Sequence, residues 1–500
     1  MISTDTALLV AAYAILGIAP WPLYRLISIP PFRREYFCVA VRVFLIITLY
    51  FLGIMAIAIF SPGFILPLAG IAAIVLVAER WRARGNFGRS KGLPPGSLSL
   101  VPRGPWVDDG FYAEQAKKFG PVFKLSQYFR PMICVMGPRE GHSLIRQHGD
   151  RLIAPPMRYS DFIPNGFLRF MEAPVHAKYR PVFRNAFGRP AIQDCMPFLE
   201  DILQAEISKM AASSRSNSGI GINPAPHVSE IMFRLVVRLF IGVDEHSQEF
   251  KQLHNLYEKV VIGKASCASR SDDIEAINVI EGIISGQAEK SHTDLPMCFL
   301  AKIIQQSNEA ALDRTVLLNL VYMMKIASSD LAGLMTWAIK FLIDNPQWAE
   351  RLSDATDRSA IEGKKLASLI LKETLRLERS EYIFRKTLEA IDYEGFTIPR
   401  DWLVRICIRD GHRDSDTFAD PSTFNPERFL NRSFKREEYS PLGIGAHSCV
   451  GAQVIDALGS AFLIEWAHSY RVEKQCDGPR EYGRSHWQPS SALRIELIQR

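Results

Sequence analysis

Apolar residues along this 500-residue chain fall into two regimes. In the first 80 positions they come as unbroken runs; beyond about residue 105 they recur with helical spacing. Val43–Phe60 (VFLIITLYFLGIMAIAIF) is eighteen residues without a charge, Ser61-Pro62-Gly63 reads as a turn, and Phe64–Ala78 is fifteen more uncharged residues. A helix crosses a bilayer with roughly 20 apolar residues. The first run is long enough, and the second suffices if its flanking side chains snorkel. Ala7–Tyr24, which contains Pro20 and Pro22, is a third and weaker candidate. A buried core hairpin is the competing reading, but a soluble core rarely supplies two such runs bracketed by arginines.

Arg25, Arg33, Arg34 and Arg42 precede the strong run; Arg80, Arg82, Arg84, Arg89 and Lys91 follow the second, and the turn carries no positive charge. The positive-inside rule therefore puts both hairpin ends in the cytosol. If Ala7–Tyr24 also spans, the N-terminus is lumenal. A cleaved signal peptide does not fit, because the apolar region recurs and runs too long. Residues 1–84 are expected to form a membrane anchor of two or three transmembrane helices.

Residues 85–104 (GNFGRSKGLPPGSLSLVPRG) are rich in Gly, Pro and Ser and read as a linker. From residue 105 to 500 helical periodicity dominates, as in Ala191–Ala212, Val228–Leu239, Arg314–Asp344 and Lys365–Glu378. Strand-like pieces are few and short: Val122–Leu125, Ile133–Met136, Thr397–Ile398 and Leu403–Ile408. The expectation is one domain, mainly α with small β-sheets. It exceeds the usual size of a single core, and a large buried cofactor would help explain that.

Composition narrows the classes. The chain is 48% hydrophobic and 22% charged, which suits a large globular core, and its net charge is a modest +6. Basic residues do not cluster with aromatics, which argues against a nucleic-acid partner; the arginines beside the anchor suit an anionic leaflet instead. The eight cysteines are scattered singly, with no CxxC, so neither a disulfide framework nor a structural zinc site is expected. Cys38, Cys134, Cys195, Cys267, Cys298, Cys407 and Cys476 read as small core residues.

Cys449 differs, because its neighbours in PLGIGAHSCVGAQ look chosen. Val454, Leu458, Phe462 and Trp466 follow it four apart, so a helix begins near Gly451 and Cys449 sits at its N-terminus. The helix dipole and free N–H groups there favour a thiolate. Gly445 and Gly451 leave the loop bare for a flat partner. Haem iron takes one protein sulfur in this way. On the loop alone, a reactive nucleophile or an inert cysteine in a Gly-rich turn stays open.

The loop resembles that of the cytochrome P450 family, which runs aromatic, Gly, basic residue, Cys, Gly. Gly445, His447, Cys449 and Gly451 match in order and spacing, with Leu442 where Phe is usual and His447 where Arg is commoner. Other motifs agree. In KETLRL, Glu373 and Arg376 lie three apart on one helix face; taken alone this would be a surface pair of little worth. The resemblance implies that the pair is buried and tied to Arg428 of the segment FADPSTFNPERF. MEAPVHAKYRPVFRNAF resembles the helix at the haem edge and points His176 and Arg180 at a propionate. FRKTLEAIDYEGFTIPRDW resembles the strand segment after the Glu-x-x-Arg helix and makes Arg385 a second propionate partner. The likeness covers roughly residues 90 to 500.

The central helix departs from the family pattern of an acid followed by threonine. In VYMMKIASSDLAGLMTWAIKFLIDNP, one register puts Ser329 at the acid position and Asp330 at the threonine position. The other makes Asp330 the acid and replaces threonine with Leu331. The sequence leaves both registers open, and Ser329 and Asp330 are the catalytic candidates. A helix distortion is compatible with two such poor mid-helix residues. Lys325 reads as turned outward.

What the resemblance implies is a haem-thiolate monooxygenase carrying haem b, its iron bound by Cys449. Electrons would come from NADPH through a separate NADPH–cytochrome P450 reductase. The expected setting is the endoplasmic reticulum membrane with the catalytic domain cytosolic. The substrate would be lipophilic and drawn from the bilayer: a terpenoid, steroid, fatty acid or polyketide of secondary metabolism. Two other classes remain in view, a P450-fold isomerase, dehydratase or rearranging enzyme that works without a reductase, and a non-catalytic haem carrier or sensor. Residues 151–170, 228–262 and 478–489 are expected to shape the pocket.

Overall fold

The computed structural model describes residues 92–97, 109–127, 130–155, 163–217, 219–259, 270–290, 297–306, 312–379, 382–482 and 486–500. The expected anchor, Cys38 and Cys267 lie outside them.

The helices of eight residues or more are α1 Phe111–Phe119, α2 Gly137–His148, α3 Ala173–Ala186, α4 Arg189–Ser216, α5 Pro224–Ile241, α6 Gln248–Lys259, α7 Arg270–Ala288, α8 Phe299–Gln306, α9 Arg314–Asp344, α10 Pro346–Arg358, α11 Ala360–Thr374 and α12 Ala452–Ser469. α9 starts where the Asp313 side chain accepts the Thr315 amide at 2.8 Å and ends before Pro346 opens α10. It is apolar nearly all round, and a helix of that kind belongs in a core. It would be long and apolar enough to cross a membrane, but most of it is buried among α5, α10, α11 and α12. α5 is capped by Asn223 and stopped by Gly242 in the left-handed region at φ 70°. α12 packs on α11, with Gly459 opposite Leu371: a Cβ there would stand 2.9 Å from a leucine methyl.

One six-stranded sheet flanks the helices, in the order β1 (Gly96–Ser97), β2 (Val122–Gln127), β3 (Arg130–Met136), β8 (Leu403–Cys407), β5 (Tyr382–Thr387), β4 (Leu152–Ile153). β2 and β3 form a hairpin, β3 runs parallel to β8, and β5 pairs antiparallel with β8, setting Arg385 opposite Val404. Its own small core includes Ile133, Val135, Leu144 and Ile406. Three two-stranded ribbons complete the described strands: β6 (Ile391–Tyr393) with β7 (Phe396–Ile398), β9 (Tyr470–Cys476) with β12 (Arg494–Gln499), and β10 (Glu481–Tyr482) with β11 (Trp487–Gln488).

The mainly helical expectation holds, and Arg314–Asp344 is reproduced end to end. Three details differ. Part of the presumed linker already belongs to the sheet: Gly96–Ser97 pairs with Lys124–Leu125, Leu93 is buried, and the Lys124 ammonium donates to the Pro94 carbonyl at 2.8 Å. The helix read as Lys365–Glu378 leaves the α form after Thr374, and Leu375–Arg379 is a π turn. Cys134, Cys195, Cys298 and Cys407 are buried as expected, whereas Cys476 is exposed near the end of a ribbon strand.

Candidate active site

The Cys449 loop turns on two glycines. Gly443 has φ 94° and Gly445 has φ 70°, angles that side-chain-bearing residues seldom adopt. Gly443 was not singled out from the sequence. The tight return lets the Cys449 amide donate to the Leu442 carbonyl at 2.8 Å. Gly451 has an ordinary φ of −92°. Its bareness matters through position instead, since a Cβ there would sit 3.9 Å from the Cys449 sulfur. Cys449 is exposed, and it lines both an internal cavity and an open cleft of about 1350 Å³ on the other side of the loop.

Basic groups from separate elements line the internal cavity beside the loop. α3 contributes His176 and Arg180, one turn apart, β5 contributes Arg385, and the loop contributes His447. The two imidazole rings lie 4.1 Å apart between centroids. Arg180 donates to the Ser448 carbonyl at 3.0 Å and so braces the loop itself. Arg385 donates to the Phe384 carbonyl at 2.8 Å. Burial pushes the His447 ring down to about 4, helped by His176, Arg385, Arg180 and Arg169. His176 Nε2 and His447 Nδ1 are buried with no hydrogen-bond partner. A basic rim with two orphaned ring nitrogens is set up for an anion.

Behind the loop, Glu373 and Arg376 are fully buried and bonded twice, at 2.7 and 2.8 Å. Arg428 reaches the same carboxylate at 2.9 Å. The remaining capacity is taken by backbone: Arg376 donates to the carbonyls of His412 and Pro421, both at 2.8 Å, and the Asn425 amide donates to Glu373 at 2.9 Å. A buried ion set costs desolvation unless its partners satisfy it as fully as this.

The Cytochrome P450 family model matches residues 94–479. The chain belongs to the cytochrome P450 family. Among curated proteins it is similar to abscisic acid 8'-hydroxylase 1 of Arabidopsis thaliana, 26% identical over 407 residues, 74% of this chain and 83% of that protein. It is also similar to taxane 10-beta-hydroxylase of Taxus cuspidata, 24% identical over 436 residues, 78% of this chain and 86% of that protein. Among solved structures, the retinoic-acid-bound cyanobacterial CYP120A1 superposes with a TM-score of 0.66 at 18% identity, covering 82% of this chain and all of that one. A zebrafish cytochrome P450 with abiraterone gives 0.62 at 14%, covering 78% and 99%. The two structures establish the fold alone.

This P450 is a monooxygenase, and its family implies a haem whose iron is bound by a cysteine thiolate, a lipophilic substrate and a redox partner. The residues present fit the haem. The cavity has Cys449 at one wall, apolar side chains around it, and the orphaned His176 and His447 nitrogens beside Arg180 and Arg385 where carboxylates would be welcome.

The wall facing Cys449 comes from α9, through Ile326, Ala327, Asp330, Leu331 and Leu334. That is one face at helical spacing. Asp330 and Leu331 are on it, and Ser329 is not: Ser329 is exposed and lines a separate cleft outside the helix, with Lys325 and Asp330. Lys325 donates to the Tyr257 carbonyl there, turned outward from the haem cavity as expected. The mid-helix distortion is absent, since α9 is regular from Arg314 to Asp344. Each of the three pocket-shaping segments reaches the cavity, with Leu168 and Arg169, Phe240, and His486.

Sequence reading missed Arg169 and His486, which carry no motif. It also missed a second buried ion set. Asp109 and Glu378 hold Arg409, Arg413 and Arg480, with Arg409 at 2.7 and 2.8 Å from the two acids. Burial alone would raise Asp109, but Arg409 and Arg413 outweigh it and hold the carboxyl at about 2. The one available signal was the charge density of IRDGHRDSD, around Arg409 and Arg413.

Proposed function

We propose that this P450 hydroxylates a lipophilic terpenoid of secondary metabolism at the endoplasmic reticulum membrane, with electrons from NADPH–cytochrome P450 reductase. The observation that carries the reading is the cavity itself. Cys449 faces an apolar wall of α9 across it, a basic rim lies to one side, and Asp330 is the one acid among the described residues lining it. The two relatives named above are both hydroxylases of terpenoids.

When bound, the haem supplies the activation of dioxygen by which one atom enters the substrate and the other leaves as water. The chain's own residues do the rest. Cys449 would bind the iron, and the Leu442 carbonyl holds its amide. Gly445 and Gly451 keep the sulfur's surroundings open. His176, Arg180, Arg385 and His447 orient the propionates. Glu373, Arg376 and Arg428 fix the segment that carries the loop. Leu168, Phe240, Ile326 and Leu334 press the substrate's apolar surface and exclude water. Of the two helix registers, the one with Asp330 as the acid and Leu331 in place of threonine agrees with the cavity-facing positions, which makes Asp330 the proton donor and leaves Ser329 outside the site.

Residues 1–84 anchor the domain in the bilayer on this reading, and the start of the 85–104 segment, ahead of the strand Gly96–Ser97, links them. The cleft outside Cys449 carries Arg189, Lys364, Lys372 and Arg436 among its lining, and these are the contacts offered to an acidic reductase. The test is turnover of the full chain in microsomes with the reductase and NADPH, against a panel of terpenoids. An NADPH-dependent product heavier by one oxygen atom supports the reading. Turnover that needs no reductase would support the rearranging enzyme instead.

A further inference from the structure

The cleft outside α9 has a volume of about 690 Å³, room for many waters. Its lining is mostly polar. His254 and Glu230 are joined at 2.7 Å, and Glu258, Ser328 and Ser329 stand near them. Two residues line both this cleft and the haem cavity, Asp330 and His486. They form the partition between solvent and the reaction chamber.

Three neighbouring positions on α9 could have supplied a protic group beside Asp330, and none does. Leu331 is apolar. Ser329 lines only the cleft. Ser328 lines only the cleft too, and its hydroxyl donates to the Lys325 carbonyl at 3.1 Å. His486 comes from another element, and α9 itself fixes its place. The Trp337 indole, two turns along from Asp330, donates to the backbone carbonyl of Trp487 at 2.8 Å. The His486 ring also lies 6.1 Å from the Tyr382 ring, which limits its rotation.

We propose that His486 is the second catalytic group of the proton path, standing in for the hydroxyl that Leu331 lacks, and that protons enter through the cleft between α5, α6 and α9. This rests on the monooxygenase reading above. In each transfer the His486 imidazolium passes a proton to the Asp330 carboxylate, Asp330 passes it to the haem cavity, and a solvent hydronium arriving through the cleft reprotonates His486 and leaves as water. No group changes its net state, and the electrons remain those of NADPH.

The first arm needs no turnover. Diethyl pyrocarbonate labelling of His486 is read by peptide mass spectrometry on the haem-loaded full chain at pH 6.5. Asp330→Asn should raise the labelling rate about threefold, because on this proposal His486 shares its proton with Asp330 and loses that partner in the variant. His254→Gln should leave it unchanged. An unaltered rate in Asp330→Asn overturns the proposal. The second arm uses the terpenoid that turns over in the panel. His486→Phe should cut product formed per NADPH by about tenfold or more. Adding Asp330→Asn should cost little further, as for residues that act as a unit. Leu331→Thr should restore much of the loss, and turnover driven by hydrogen peroxide, which brings its own protons, should stay near wild type. Full coupling in His486→Phe sinks the inference while leaving the monooxygenase reading intact. An inactive wild type sinks that reading, and the labelling arm still decides this one.

Discussion

Behind Cys449, the charges of Glu373, Arg376 and Arg428 are buried and met by each other and by backbone, whereas across the cavity Ser329 and Asp330 stand exposed in the middle of a helix. The first arrangement stabilises only if every partner is present. It suits a wall that must hold a cofactor in one geometry. The second contributes less to folding: Ser329 lines the outer cleft alone, and Asp330 lines both that cleft and the cavity. One side of the cavity is thus fixed by mutual satisfaction of charges, and the other can be altered at low structural cost.

Substitutions should separate the two sides clearly. Glu373→Gln leaves Arg376 and Arg428 buried without their carboxylate, a loss of about 3–5 kcal/mol. Haem bound per polypeptide should fall to nearly nothing, and full haem loading would show that the buried ions are dispensable. Arg180→Leu or Arg385→Leu should fold normally but release haem roughly tenfold to a hundredfold faster, each losing a charge-assisted contact. Transfer of haem to apomyoglobin gives the rate.

A third, smaller effect follows from His412. Burial, with help from Arg376, holds its ring down to about 3 from the usual 6.5, and its Nε2 accepts the Ser440 amide at 3.1 Å. The unfolded chain therefore binds a proton at this ring that the folded chain refuses. This stability contribution is fully present above pH 6.5 and lost as the pH falls towards 3. The denaturation midpoint should drop across that window, and His412→Gln should flatten the slope. The smallest change is expected on the outer side of α9. Ser329→Ala should leave haem content and turnover within about twofold, as an exposed side chain outside the cavity. A large loss there would restore Ser329 to the site.

The same contrast explains what could be read from the sequence. Glu373 and Arg376 lie one helical turn apart, and Gly445, His447, Cys449 and Gly451 fall within seven positions, so local spacing already encodes their contacts. Apolar periodicity gave Arg314–Asp344 end to end, but Ala191–Ala212 and Val228–Leu239 fell short of the helices Arg189–Ser216 and Pro224–Ile241, and Lys365–Glu378 ran into the π turn after Thr374. The α9 wall was harder. A shift of one residue rotates a side chain by about 100°, and only packing against the rest of the fold decides which of Ser329 and Asp330 faces inward. Arg169 and His486 reach the cavity from segments more than 300 residues apart, and Asp109 meets Arg409 across a similar gap. Such contacts leave no periodic trace.

The central claim is a bond from the Cys449 sulfur to haem iron. It is tested most directly by the difference spectrum of the reduced, carbon-monoxide-bound protein, taken for the wild type and for Cys449→Ser. The account predicts the long-wavelength band of a thiolate-bound haem in the wild type and its loss in the variant. Persistence of that band in Cys449→Ser would contradict it.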